Sequence, residues 1–182
     1  MSSFSRTTYR SVEIAVGPAY WPALGWTSLL ALLQTTLIPL LAFRQAVPSL
    51  VTIAVVLFAV RAGARRGAAL AIPAGVLEDV FTGGAGGWTL STTLVALLVG
   101  GFSRRMFADG VVAPAVLCGG ASFVRDVMYW IFQRAVGYPA GYAVQHVHTA
   151  LWRALLTALV AFVWLTLRGR FVHDKTTVER YP

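Results

Sequence analysis

Two Arg-Arg pairs and an arginine-rich tail interrupt a chain that is otherwise almost continuously apolar. Arg65-Arg66, Arg104-Arg105 and the tail Arg168, Arg170, Lys175 and Arg180 lie in alternate gaps between hydrophobic runs. The gaps between them hold almost no positive charge. That alternation is the pattern of a polytopic membrane protein whose basic loops stay in the cytoplasm. The runs themselves reach about 20 residues, the length a helix needs to cross a bilayer.

Composition excludes the ordinary soluble alternative. Of 182 residues, 57% are hydrophobic, with only 15 basic and 7 acidic side chains. Mean hydropathy is +0.69. A soluble domain of this size needs far more polar surface. The net charge of +8 invites a nucleic-acid reading. Here the charge sits in short loops beside apolar runs, so topology and anionic lipid account for it and no nucleic-acid partner is expected. The one cysteine, Cys118, lies inside an apolar run. It supports neither a disulfide nor a cysteine metal site and reads as a small core residue. The first apolar run, about 19–43, is too long for a signal-peptide core and is read as a retained span.

Six spans are expected, in an all-α polytopic bundle. Residues 1–18 form a cytoplasmic N-terminal segment, 19–168 the six-helix transmembrane bundle, and 169–182 a cytoplasmic basic tail. The first span runs about 20–43 and opens on Tyr20, Trp21 and Trp26, an aromatic anchor. The second, about 47–60, follows the Val47-Pro48 turn and covers only ~21 Å as a helix. A basic loop from Arg61 to Arg66 leads to the third, about 67–81. The Gly-rich stretch Thr82 to Gly87 breaks the chain. The fourth, fifth and sixth spans run about 88–103, 111–132 and 146–167. Of the 15 Lys and Arg, eleven fall at the two termini and in the gaps after spans two and four, and two (Arg44, Arg134) in the other gaps. The remaining two, Arg125 and Arg153, lie within spans. The count places both termini on the cytoplasmic side.

Charges inside spans cost roughly 2.5–3.5 kcal/mol each on an insertion scale, so each wants a partner. With this topology Glu78, Asp79, Arg125, Asp126 and Arg153 share one layer of the outer leaflet. Arg125 and Asp126 are adjacent, point about 100° apart and are expected to pair with different helices. Arg125 or Arg153 against Glu78 or Asp79 is the economical pairing, with Gln34 joining by hydrogen bonding. An ion-pair clamp of helices three, five and six explains the layer more simply than a binding or relay site. His146 and His148, two apart, make a poor metal pair and read as loop-end residues. No catalytic or phosphate-cradling motif occurs, so neither an enzyme, a cofactor nor a metal is expected. Small residues at four-residue spacing suit close helix packing. The stripe Ala150, Ala154 and Ala158 is the candidate face for a partner helix.

Residues 75–88, Gly-Val-Leu-Glu-Asp-Val-Phe-Thr-Gly-Gly-Ala-Gly-Gly-Trp, resemble a segment of the MreD family of rod shape-determining membrane proteins. In that family a helix with a Gly and a terminal Asp enters a Gly-containing loop. The Pro48 before a short second span, the basic turn before the third and the six inward-terminating spans fit as well. The chain departs from the family at Pro48-Ser49, where Pro-Asp is usual, and at Gly86-Gly87-Trp88, where Leu-Gly-His is usual. The resemblance implies a non-enzymatic scaffold of the cell-wall elongation complex (the elongasome), regulating peptidoglycan synthesis and cell shape. It implies an MreC-like bitopic partner. It also implies the RodA glycosyltransferase and a class B penicillin-binding transpeptidase, reached directly or through that partner. The family fold is similar to the substrate-binding subunit of energy-coupling-factor transporters. That similarity supplies the rival expectation, a vitamin-capturing transporter subunit.

Overall fold

The structure, a computed structural model, describes residues 19–36, 42–43, 46–102 and 110–178. For Ala140 and residues 169–178 only the course of the backbone is described. Expectations for residues 1–18, Arg44, Arg104-Arg105 and the tail side chains lie outside the described residues.

Six α-helices account for the fold, and among the described residues no strand forms. They are α1 (Tyr20–Thr36), α2 (Leu50–Ala62), α3 (Ala64–Thr82), α4 (Gly87–Phe102), α5 (Val112–Ala135) and α6 (Ala143–Val178). A 3-10 turn, Ala140–Tyr142, precedes α6. The expected basic loop 61–66 is absent as a loop. A single residue, Gly63, with φ 84°, links α2 to α3, and Arg61, Arg65 and Arg66 ride on the helix ends. Glycine can take that φ at little cost, which allows so tight a reversal.

Local chemistry fixes the ends. Ser49 caps α2 by accepting the Thr52 N–H at 3.3 Å. Gly83, left-handed at φ 69°, ends α3, and its N–H reaches the Asp79 carbonyl at 2.8 Å. Pro73 sits inside α3 and cannot donate to the Ala69 carbonyl. The Tyr20 hydroxyl of α1 donates to that carbonyl instead, at 2.9 Å. The group that proline frees is thereby satisfied from a neighbouring helix.

Helix α2 is the axis of the bundle and touches each of the other five. One core cluster joins Ile53 and Val56 of α2 to Val95, Val99, Ala115, Cys118, Ala121 and Ala161 of α4, α5 and α6. A second joins Val51 and Val55 to Ala31, Ala71, Ala74 and Ala96 of α1, α3 and α4. Glycines set the closest approaches. A Cβ added at Gly100 would lie 2.6 Å from the Ala64 Cα, and one at Gly75 would run into the Thr89 backbone.

The radial distribution of polarity is inverted relative to a soluble domain. Glu78, Arg125, Asp126, Ser91, Thr92, Ser122 and Thr157 are buried, whereas Leu155, Leu159, Val116, Leu94 and Ile72 are exposed. Soluble proteins do not present continuous apolar faces of this extent on every helix they show to water. Two helices, Val112–Ala135 and Ala143–Arg168, are long and apolar enough to cross a membrane.

Candidate functional site

The Gly-rich break after α3 turns the chain back so that α4 packs alongside it. Thereby the end of α3, the start of α4, the middle of α5 and the first third of α6 meet at one level. Glu78, Arg125 and Asp126 are each no more than 3% exposed there.

Arg125 on α5 donates from one terminal nitrogen to both carboxylate oxygens of Glu78 on α3, at 3.1 and 2.9 Å. Gln34 of α1 donates to Glu78 Oε1 at 2.9 Å, and its own carbonyl oxygen accepts the Val51 N–H at the start of α2 at 3.1 Å. Arg153 of α6 pairs with Asp126 at 3.1 Å. Adjacent on α5, Arg125 and Asp126 thus reach different helices, α3 and α6. The long guanidinium also bends back, bringing its other terminal nitrogen 3.9 Å from Asp126, a contact that helix angle alone did not anticipate.

Asp79 differs from expectation. It meets neither arginine. Its carboxylate accepts the Trp88 and Thr89 N–H groups at 3.0 and 2.9 Å and the Thr89 hydroxyl at 2.6 Å. It therefore caps the start of α4, where unpaired amides and the helix dipole favour an anion. The residue one position after Glu78 points about 100° around the helix, toward α4 instead of α5.

Trp88 is the participant that the charge pattern did not single out. The Arg125 guanidinium lies over its ring, 4.6 Å from the centroid, and that of Arg153 at 5.8 Å. The ring stacks on Tyr129 at 3.9 Å between centroids, 8° from parallel. Gly87 makes room, since a Cβ there would fall 2.9 Å from Tyr129. An aromatic directly after a glycine at a helix start was the available signal. His146 also belongs to the layer, inside α6 instead of at a loop end. Its Nε2–H donates to the Asp126 carbonyl at 3.0 Å. His148 stays with Trp152, whose indole N–H donates to it at 3.1 Å.

The stripe Ala150, Ala154 and Ala158 faces inward. Ala150 is buried, and a Cβ added at Gly119 of α5 would meet the Ala158 Cβ at 2.8 Å and the Ala154 carbonyl at 2.9 Å. The stripe serves contact between α5 and α6, and the face about 100° further around α6, through Leu151, Leu155 and Leu159, is exposed.

Charge closes within the layer: two guanidiniums meet two carboxylates, and the third carboxylate meets a helix N-terminus. Hydrogen bonding closes less fully. Arg125 Nε, Asp126 Oδ2 and Trp130 Nε1 are buried without a hydrogen-bond partner among the described residues. A cavity of about 320 Å³ lies between α4 and α5, lined by Val95, Leu98, Val116, Gly120 and other apolar residues. A second, of about 390 Å³, lies along the outer face of α6 at Val144, Val147 and Leu151. None of the charged residues of the layer lines either one. Among the described residues no group of three His, Cys, Asp or Glu is placed to hold a metal ion. Comparison of the chain with family models, with curated proteins and with solved structures gives no match.

Proposed function

We propose that the chain is a six-helix integral protein of the bacterial cytoplasmic membrane, with both termini inside. In this reading it is a non-enzymatic scaffold of the cell-wall elongation complex that docks the transmembrane helix of an MreC-like bitopic partner. Membrane placement is supported by the apolar exterior around a charged interior. The four helices other than α5 and α6 have 13–19 residues. They would cover about 20–28 Å, close to the hydrocarbon thickness. The arginine distribution supports the orientation.

The observation that carries the scaffold reading is that the charges of the layer pair with one another and line neither cavity. A vitamin-capturing subunit needs polar groups turned toward a ligand space. The segment 75–88, which carries the MreD resemblance, is used up in structure: Gly75 in helix contact, Asp79 as cap, Gly83 as turn, Gly87 and Trp88 in the aromatic stack. Docking of a partner helix would then use the apolar exterior, with α6's Leu151, Leu155 and Leu159 replacing the inward alanine stripe as the first face to test.

The test is purification from native membranes with identification of bound proteins and small molecules, alongside depletion in rod-shaped cells. Co-purification of a single-span periplasmic protein and rounding of the cells are expected. Rod shape persisting after deletion, with vitamin uptake lost and a vitamin retained by the pure protein, would replace the scaffold with the transporter reading.

A further inference from the structure

At the end of the bundle away from the charge layer, Arg61 of α2 and Arg168 of α6 come to one level, with no acid between them among the described residues. The Ser49 N–H at the head of α2 donates to Thr157 Oγ1 of α6 at 2.9 Å, which fixes the relative height of the two helices. Both then run in the same direction, and Ala161 of α6 packs in one cluster with Ile53 and Val56 of α2. Arg61 lies twelve residues beyond Ser49 and Arg168 eleven beyond Thr157. Along straight helices these are about 18 and about 17 Å, the same level. Both residues keep solvent-exposed surface, and partial burial of the Arg61 guanidinium, followed by repulsion from the nearby charge of Arg168, holds its pKa below the usual arginine value.

Nothing among the described residues offsets that repulsion. The described carboxylates, Glu78, Asp79 and Asp126, are all held in the polar layer at the other end. No Asp or Glu stands three or four residues from Arg61 or from Arg168 in the sequence, so neither helix supplies its own partner. One turn before Arg168, Trp164 is 56% exposed, an amphipathic ring at the depth where headgroups begin. Leu167 and Phe162 beside it are exposed and apolar.

We propose that Arg61 and Arg168 together hold the phosphate of an anionic membrane phospholipid, whose acyl chains start against the exposed apolar side chains Phe162 and Leu167 at this end of α6. Guanidiniums bind phosphate oxygens in a fork geometry and are favoured over other cations for that purpose. A basic site between helices at the cytoplasmic surface suits an anionic headgroup. The inference rests on the membrane placement above and not on the scaffold role. Reporter fusions test the former and cell shape the latter, each independently of lipid binding.

The test is native mass spectrometry of the full chain in detergent, titrated with phosphatidylglycerol or with phosphatidylcholine. Preferential retention of phosphatidylglycerol is expected. Arg61→Gln and Arg168→Gln should each weaken it about fivefold, and Arg134→Gln, at the opposite end, should leave it unchanged. Displacement by millimolar inorganic phosphate would assign the site to free phosphate in place of lipid. Equal retention of the two lipids, or equal loss in all three variants, overturns the proposal. Lipid-free thermal unfolding guards against misfolding: removing either arginine should leave the melting temperature unchanged or higher, and a lower one also counts against the proposal.

Discussion

Arg125 is 1% exposed, and its guanidinium reaches groups on two other helices. It reaches Glu78 of α3, lies over Trp88 of α4 and approaches Asp126 of its own helix, beside which Arg153 of α6 sits. Replacing it with leucine leaves Glu78 buried with only Gln34 as partner. Loss of one member of a buried pair costs about 3–5 kcal/mol. Arg125→Leu should therefore lower thermal stability in detergent sharply, and adding Glu78→Gln should restore part of the loss. Strict additivity of the two would remove the pair from the account. Asp79 behaves as a separate unit. Asp79→Ala removes three hydrogen bonds to the start of α4 and should cost about 1–2 kcal/mol. Its effect should add to that of Arg125→Leu within about 0.5 kcal/mol. Strong coupling would return Asp79 to the ion-pair network. Both acids were visible as spans' charges in the sequence. Their different partners were not, because adjacent residues diverge by about 100° and the neighbour each one meets depends on how α3 is rotated.

Between helices, the α3–α4 contact depends on Gly75, where any Cβ would run into the Thr89 backbone. Gly75→Val should cost more than the ~1–3 kcal/mol of ordinary overpacking, because backbone cannot repack as side chains do. Failure of the variant to accumulate in membranes would be the extreme form. Gly120 on α5 is the contrast, since a Cβ there meets nothing within 4 Å. Gly120→Ala should leave stability unchanged or raise it by up to about 1 kcal/mol in the same unfolding assay, since alanine is the better helix former and nothing opposes its Cβ. A large loss at Gly120 would mean that something packs on that face. The sequence showed helix-packing residues in abundance without ranking them. Ala150, Ala154 and Ala158 looked like an outward stripe and are turned toward Gly119. Four-residue spacing defines a face of a helix and not the direction in which that face points.

For the molecule as a whole, the arrangement of charge makes a topological prediction. Fusions of a reporter after Arg66, Arg105 and Arg170 should read cytoplasmic, and fusions near Gly84 and Gly141 periplasmic. A periplasmic signal at Arg105 is incompatible with six spans. Glu78, Arg125, Asp126 and Arg153 would then lie within the outer half of the bilayer, where an unpaired charge is costly and the observed pairs remove that cost. Two helices meet the length and composition for crossing on their own. The shorter ones, α2 above all, are enclosed by their neighbours, so in this reading they need cover less hydrocarbon than a helix facing lipid along its whole length.

Hydropathy and helix breakers are local properties, and they located the helix starts but not every end: α1 stops at Thr36 instead of near 43, and α6 continues to Val178 instead of 167. Each of the six begins within three residues of where the apolar runs begin, and Gly83 to Gly87 breaks the chain as its glycines require. The presence of charges within apolar runs was equally plain, as was their need for partners. Which partner each one takes was decided by tertiary structure. Helix rotation sent Glu78 to Arg125 and Asp79 to the amides of Trp88 and Thr89. Side-chain reach brought Arg125 back toward Asp126. The fold-back at the Gly-rich turn carried Trp88, which has no charge to mark it, over two guanidiniums. These outcomes depend on distances between residues up to 47 positions apart, and no window of sequence contains them.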